Sequence, residues 1–206
     1  MRKSSPEKPA RRRARPNRKP ADRYHHGDLR QALIDAAVTQ VDREGPDSLS
    51  LLQLAKSLAV SQPAPYRHFR DRDALMAAVA TEGFRAFAAA LTQAADAGSA
   101  DAALSRMCQA YVTFGTRRQG IYRLMFASPI LLDRAADDEL KSAARDSFGL
   151  LVAALPERGN PRAREQQAVR IWVALHGIVM LANQGLLANR DSSVNLAELV
   201  DTVLAG

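Results

Sequence analysis

The spacing of apolar residues constrains this chain most, because it repeats every three or four positions along nearly all of the sequence after Asp28. The first such segment contains Leu29, Leu33, Ala36 and Val41. This spacing places apolar side chains on one face of an α-helix, and no segment shows the period of two that indicates a strand. Alanine is abundant and β-branched residues are sparse, which also favours helix. The sequence therefore predicts an all-α protein with about nine helices.

Two short helices separated by a tight turn are predicted near the N-terminus. The segment LLQLAKSLA follows Ser50, and the stretch SQPAPYRHFRDRD begins at Ser61; serine is a preferred N-cap residue. The turn between the two helices, around Val60, is only three or four residues long, which is typical of a helix-turn-helix. Ala55 is small where the two helices must cross, and Asp71 is placed to cap a long fourth helix.

The second of these stretches contains two prolines, which are poor helix formers. If Ser61 is the N-cap, Pro63 and Pro65 fall in the first turn, where backbone N–H groups have no partner within the helix. We therefore expect the stretch to begin a third helix that ends near Phe69, and not to form a loop. Tyr66 and Phe69 are expected to anchor this helix from its other side.

The basic excess of the chain lies in its first 26 residues. They contain ten Lys and Arg against two acidic residues, a net charge of +8, whereas the remainder has 19 bases and 20 acids, a net charge of −1. Low hydrophobicity and high charge predict a disordered arm over residues 1–23. A basic arm is typical of nucleic-acid-binding proteins, although a solvated leader without function has the same composition.

Residues 99–206 are predicted to form further helices and contain no catalytic constellation. They have no paired carboxylates on a buried face, no glycine-rich phosphate loop, and no nucleophile with a base nearby. Cys108 is the single cysteine, and His25 and His26 have no further ligand at metal spacing, so no disulfide, metal or cofactor is predicted. No apolar run reaches the roughly 18 residues of a membrane span.

Aromatic and sulfur-containing side chains in this half are candidates for lining a ligand pocket, although each taken singly is more simply explained as core. The candidates are Met107, Tyr111, Phe114, Met125, Phe126, Phe148, Trp172, His176 and Met180. His176 follows Trp172 by one helical turn in an otherwise apolar segment. Because a buried histidine needs a hydrogen-bond partner, we expect it to meet a backbone carbonyl or a ligand.

Two sets of motifs resemble a known family. The segments YHHGDLRQALIDAA and LSLLQLAKSLAVSQPAPYRHFRDRDAL, continuous over residues 24–80, resemble the DNA-binding domain of TetR-family transcriptional regulators. The segments GIYRLMFASP and IWVALHGIVML, the latter with Trp172, His176 and Gly177, resemble the WHG-type subgroup, named for a Trp, His-Gly motif in its C-terminal domain. The resemblance implies the following division of the chain: a helix-turn-helix domain at 24–70, a connecting helix at 71–98, and a helical ligand-binding and dimerisation domain at 99–206.

The resemblance also implies how DNA is bound. The third helix would enter the major groove, with Gln62 and Ala64 at base edges and Pro65 against a thymine methyl group. Arg72 would bind a phosphate. The other expected DNA-contacting residues are Ser50, Gln53, Ser61, Tyr66, Arg67 and His68, together with Arg11, Arg12, Arg13 and Arg15 of the arm, which would reach the minor groove.

Two residues depart from the pattern of the family. Ala59 stands where glycine is usual, at a helix end that favours the left-handed conformation, in which alanine costs roughly 1 kcal/mol. Arg72 stands where lysine is usual, which preserves the positive charge.

The implied function is a homodimeric repressor in the cytoplasm that releases operator DNA when a small-molecule effector binds. The long helix from residue 162 is apolar nearly all round in its second part, so we expect it to be buried on most sides. With the last helix it is the best candidate for the dimer interface. A constitutive DNA-binding protein whose second domain only dimerises is the alternative, and an α-helical enzyme is disfavoured by the absence of polar clusters.

Overall fold

The computed structural model describes residues 29–127, 138–156, 160–187 and 194–205. All regular secondary structure in these ranges is helical, which confirms the all-α prediction. The α-helices are α1 (Leu29–Glu44), α2 (Leu51–Ser57), α3 (Arg72–Asp96), α4 (Ala103–Arg117), α5 (Gln119–Ala127), α6 (Asp138–Ala154), α7 (Pro161–Asn183) and α8 (Leu196–Ala205). Short 3-10 turns lie at Pro46–Ser48, Pro65–Arg67 and Ala100–Ala102.

The N-terminal unit, residues 29–71, is built on α1 and α2, and its helix starts follow the sequence. Ala55 is fully buried, as expected for a small residue where two elements cross. Ser50 has the extended backbone of an N-cap, although its hydroxyl makes no capping hydrogen bond. Asp71 does cap α3, because its Oδ1 accepts from the backbone N–H of Ala74 at 2.8 Å.

The predicted third α-helix does not form, so this part of the prediction is wrong. Instead, the Ala64 N–H donates to the Ser61 carbonyl at 2.9 Å in a turn, and the 3-10 turn Pro65–Arg67 follows. Pro65 supplies the physical reason. With Ser61 as N-cap, the residue four positions later should donate the first helical hydrogen bond, but proline has no N–H and its ring crowds that carbonyl.

α2 ends in a left-handed residue, as the family resemblance implies. Ala59 has φ of +54° and is the one non-glycine residue with positive φ in the described ranges. The Val60 N–H donates to the Ala55 carbonyl at 3.0 Å, and the Ala59 N–H donates to the Lys56 carbonyl at 3.1 Å. These two bonds form a Schellman motif, the common helix ending that favours glycine at this position.

α3 is the central helix and runs from the N-terminal unit into the C-terminal bundle, which α3 forms with α4–α8. Of the described helices, it alone is long and apolar enough by composition to cross a membrane. Burial accounts for this composition, because the large residues along its inner face are at most 3% exposed. These residues are Leu75, Val79, Phe84, Phe87 and Leu91.

The N-terminal unit contacts the bundle where α5 begins. A Cβ added at Gly120 would lie only 1.9 Å from the carbonyl oxygen of Val41, so α5 approaches the last turn of α1 as closely as glycine allows. Beside this contact, Arg118 Nε donates to Asp42 Oδ2 at 2.8 Å in a partly buried ion pair. A close backbone contact and an ion pair therefore join the two parts of the molecule.

In the described part of a single chain, α7 is not buried on most sides, and burial of its remaining apolar side in a dimer stays a prediction. Leu175 and Val179 are buried, whereas Val173 is 58% exposed and Leu181 is 42% exposed. A Cβ added at Gly177 would have nothing within 4 Å, so no other helix in the described residues approaches it closely. α7 thus has one apolar side in the core and a second apolar side that no described part of the single chain covers.

Candidate functional site

The segment from Ser61 to His68 forms an exposed polar surface beside α2. Its exposed polar side chains are Ser61, Gln62, Tyr66, Arg67 and His68. Tyr66 is 54% exposed, so its predicted role as a buried anchor is wrong. Phe69, at 3% exposure, is the anchor that the sequence predicted.

Pro65 and Ala64 turn inward from this surface. Pro65 is buried and Ala64 is half-buried, so the predicted contact of Pro65 with a thymine methyl group is wrong for this conformation. The physical reason is that burial of apolar surface is favourable, and the proline ring and Phe69 are both buried. Gln62 keeps the exposed position in the turn from which a side chain can reach a base edge.

Two further predicted contacts, Arg72 and Gln53, have partners within the chain. Arg72 donates from Nε to the Leu49 carbonyl at 3.0 Å and from Nη2 to the Pro46 carbonyl at 2.7 Å. The sequence did not predict this role, which ties the start of α3 to the turn before α2; binding of a phosphate by Arg72 stays a prediction. The Gln53 side-chain oxygen accepts from Gln40 Nε2 at 3.2 Å, which leaves the Gln53 amide to donate elsewhere.

A cavity of about 740 Å³ lies among α3, α4, α5, α6 and α7. This volume is in the range that holds drug-sized molecules. Six of the nine predicted pocket residues line it: Met107, Tyr111, Phe126, Phe148, Trp172 and His176. The sequence therefore identified much of the cavity wall on α4 and α7.

The other three predicted residues belong to the core instead. Phe114 packs edge-on against Phe87, with ring centroids 5.2 Å apart. Met125 is fully buried, and its sulfur lies 2.9 Å from a Cβ added at Gly83, so it fills the space between α5 and α3. Met180 is half-buried and packs against the same core.

α3 supplies a wall of the cavity that the sequence analysis missed. Phe84, Phe87 and Leu91 line the cavity, although their helix was predicted only to connect two domains. Phenylalanines spaced one turn apart on the apolar stripe of so long a helix were a usable signal. The remaining lining residues not predicted are Cys108, Ala127, Ala144, Arg145, Ser147, Leu151, Val169 and Leu175.

The side chains of Tyr111, Tyr122 and His176 form a chain of hydrogen bonds at the cavity wall. The two tyrosine hydroxyl oxygens are 3.0 Å apart, and the Tyr122 oxygen is 2.7 Å from Nδ1 of His176. Nδ1 of His176 therefore meets a tyrosine hydroxyl and not the expected backbone carbonyl, while contact of His176 with a ligand stays a prediction. The Tyr122 and His176 rings also stack, with centroids 5.6 Å apart.

Burial favours the uncharged forms of the tyrosine, cysteine and histidine side chains in and beside the cavity. It raises the pKa of Tyr111 to about 12, and it raises the pKa of Tyr122 far above its usual range. Burial likewise raises the pKa of the Cys108 thiol to about 12 and lowers the pKa of His176. The buried part of the cavity is therefore electrically neutral, with hydroxyl and imidazole groups as its polar contacts.

The comparisons with known proteins agree with this architecture. Residues 33–79 match the model of bacterial regulatory proteins of the tetR family, and residues 104–205 match the tetracyclin repressor-like C-terminal domain. The chain belongs to the TetR family of transcriptional regulators. The family and its relatives are regulators and not enzymes.

Individual relatives extend over most of the chain. An uncharacterized HTH-type transcriptional regulator of Mycobacterium tuberculosis is 28% identical over 178 residues, which are 86% of this chain and 80% of the relative. A solved protein of unknown function from a Rhodococcus species is 31% identical with a TM-score of 0.77, covering 90% of this chain and 98% of that one. The regulator LfrR of Mycobacterium smegmatis, solved with proflavine, has a TM-score of 0.58 at 22% identity, covering 85% and 92%, and shows the fold alone.

Proposed function

We propose that this regulator is a homodimeric repressor that releases operator DNA when a small molecule occupies its cavity. The observation that carries the ligand-responsive part is the aromatic cavity of about 740 Å³. An unfilled cavity lowers stability, because the side chains around it have fewer packing partners. A domain that served dimerisation alone would gain stability if side chains filled this space, so the presence of the cavity favours a ligand site.

The DNA-reading surface is the exposed segment after α2. Gln62 meets base edges, while Tyr66, Arg67 and His68 meet phosphates, which set register without reading sequence. The remaining proposed contacts are Ser50, Gln53, Ser61, Ala64 and Arg72. Arg11, Arg12, Arg13 and Arg15 lie outside the described residues, and we propose that they follow the adjacent minor groove.

The second copy packs on α7 and α8. Val169, Val173, Leu181 and Leu186 are large apolar residues on or just beyond α7, and they are between 41% and 58% exposed in the single chain. The open space over Gly177 would admit a partner helix. Two-fold pairing would set the two reading surfaces about one turn of DNA apart, roughly 34–36 Å.

α5 is the mechanical link between the cavity and the DNA-binding unit. Its Tyr122 bonds to His176 at the cavity wall, and the next residue, Arg123, pairs with Asp47 in the N-terminal unit at 2.8 Å. A ligand that favours one position of α5 would therefore also favour one orientation of the N-terminal unit. The change in DNA affinity can be no larger than the difference in ligand affinity between the two orientations.

Two finer assignments accompany this proposal. Trp172, His176 and Gly177 on α7 support membership of the WHG-type subgroup. A cytoplasmic location follows from the requirement that the protein reach chromosomal DNA.

The structure of LfrR with proflavine supports the idea that this fold can hold a flat aromatic molecule.

The test begins with footprinting of the purified protein on the DNA that flanks its own gene. A panel of aromatic compounds is then screened for thermal stabilisation, and each stabilising compound is titrated against the protein–DNA complex by fluorescence anisotropy. A compound that both raises Tm and releases DNA supports the proposal. If compounds that stabilise the protein leave DNA affinity unchanged, the chain is instead a constitutive DNA-binding protein.

A further inference from the structure

We infer that the effector of this regulator is an amphipathic anion and not a cation. It combines an apolar part of aromatic size with a carboxylate or a similar acid group. The inference rests on the proposed function, because it names the class of ligand for the same cavity. Three features of the cavity carry it: the charge of its lining, the position of Arg145, and the direction of the hydrogen bonds that end at His176.

The described lining offers a cation no carboxylate to pair with. Among the described residues that line the cavity, Arg145 is the one that is charged at neutral pH, and there is no aspartate or glutamate. A cation that entered would give up its hydration without meeting a countercharge, which makes its binding unfavourable. The same lining accepts an apolar body readily, because it is mostly aromatic and aliphatic.

Arg145 is placed to receive an acid group at the cavity opening. It lies on α6, lines the cavity and is exposed, so its guanidinium stays hydrated when the cavity is empty. No described residue pairs with it, whereas Arg85 on α3 is bonded to both Glu82 and Glu139. A guanidinium binds a carboxylate through two parallel hydrogen bonds, which fixes orientation as well as charge.

The hydrogen-bond chain through Tyr111 and Tyr122 determines which ring nitrogen of His176 carries the hydrogen. Each hydroxyl carries one hydrogen, and both are used if Tyr111 donates to Tyr122 and Tyr122 donates to Nδ1 of His176. The opposite direction would leave the Tyr111 hydrogen without a described partner in a buried site, which proteins avoid.

The favoured direction leaves the imidazole hydrogen on Nε2. Nδ1 is turned toward Tyr122, which does not line the cavity, so Nε2 on the other edge of the ring faces the cavity that His176 lines. The cavity therefore offers one hydrogen-bond donor inside and one cation at its opening. A ligand with oxygen acceptors and a negative charge satisfies both groups, and an ammonium ligand satisfies neither.

The test compares two fluorescent probes that share one aromatic body. The first is 8-anilinonaphthalene-1-sulfonate, an anion, and the second is N-phenyl-1-naphthylamine, which lacks the sulfonate and is neutral. Each is titrated into the full chain without DNA. We expect the wild type to bind the anion between about threefold and tenfold more tightly, since the contact is charge-assisted but partly exposed to water.

Two substitutions on exposed positions make the comparison specific. Arg145→Gln should remove the preference for the anion and leave affinity for the neutral probe unchanged. Arg170→Gln removes an equal charge from an exposed position on α7 that does not line the cavity, so it should keep the preference. Thermal unfolding of both variants checks that the fold is intact.

Several outcomes overturn the inference. They are equal affinity for the two probes, a preference that survives Arg145→Gln, and tighter binding of the aromatic cation ethidium than of the anion. If both probes bind and release footprinted DNA equally, the charge assignment fails while the proposed function stands. If neither probe binds, the charge assignment fails, and the proposed function is decided by the screen for compounds that raise Tm and release DNA.

The histidine tautomer has its own measurement. In protein with ¹⁵N-labelled histidine, two-bond ¹H–¹⁵N correlations distinguish a ring with hydrogen on Nε2 from one with hydrogen on Nδ1. The signal of His176 is identified by its absence in His176→Ala. We expect the Nε2–H tautomer, and the Nδ1–H tautomer would remove the internal donor from the cavity.

Discussion

Replacement of Ala59 by glycine should stabilise this protein, although glycine substitutions usually destabilise. Ala59 holds the left-handed position of the Schellman motif that ends α2, at φ of +54°. For an L-residue with a Cβ, this region costs about 1–2 kcal/mol. Ala59 is also exposed, so removal of its methyl group sacrifices no buried packing.

The size of the effect follows from two opposing terms. Glycine removes the left-handed penalty, but it makes the unfolded chain more flexible, which costs roughly 0.5–1 kcal/mol. The net gain in the free energy of unfolding is therefore about 0.5–1 kcal/mol. In a chain of this size, that corresponds to a rise in Tm of roughly 1–4 °C.

Thermal and urea unfolding followed by circular dichroism at 222 nm would measure this gain. The matched control is Ala89→Gly, an exposed alanine within α3, where glycine should lower stability by about 1 kcal/mol because it weakens the helix. Opposite signs for the two alanine-to-glycine changes would support the reasoning. An unchanged or lower Tm for Ala59→Gly would refute it.

Three other changes test different parts of the molecule. Gln62→Ala should relax the sequence preference of DNA binding, measured by competition between operator variants, and a uniform loss of affinity for all variants would contradict its role at base edges. Gly120→Ala should lower the free energy of unfolding by about 1–3 kcal/mol in urea titrations, because its Cβ would meet the Val41 carbonyl at 1.9 Å; Gly149→Ala, with open space around its Cβ, should not. Deletion of residues 1–20 should weaken DNA binding and flatten its dependence on salt by a slope of ~0.9 for each phosphate that the arm neutralises, and an unchanged slope would mean that the arm does not touch DNA.

The sequence predicted most of the local structure correctly. Helical spacing identified the all-α fold, and Asp71 caps α3 as its position implied. The left-handed ending of α2 was also predictable, because a helix ending depends on a few consecutive residues. The prediction failed at Pro65. One position earlier, a proline would remove no helical hydrogen bond; at this position its missing N–H does, and a 3-10 turn forms in place of the α-helix.

The candidate sites depended more on packing. Six pocket residues were found because aromatic and sulfur-containing side chains on an apolar face must lie inside, but the sequence did not separate those at the cavity from Phe114 and Met125 in the core. The wall from α3 was missed because nothing local says that a long connecting helix passes beside the cavity. The two carbonyls that bind Arg72 likewise become its neighbours only when α3 starts against the turn before α2.

By itself, then, the sequence determined where most helices begin and end, which of their faces are apolar, and the family to which the chain belongs. These properties depend on side chains and backbone groups within a few residues of one another. Only the tertiary structure decided that Pro65 turns inward, that one face of α7 stays uncovered, and that His176 meets Tyr122. The last two residues are 54 positions apart, and their 2.7 Å contact exists only because α5 and α7 pack beside the same cavity.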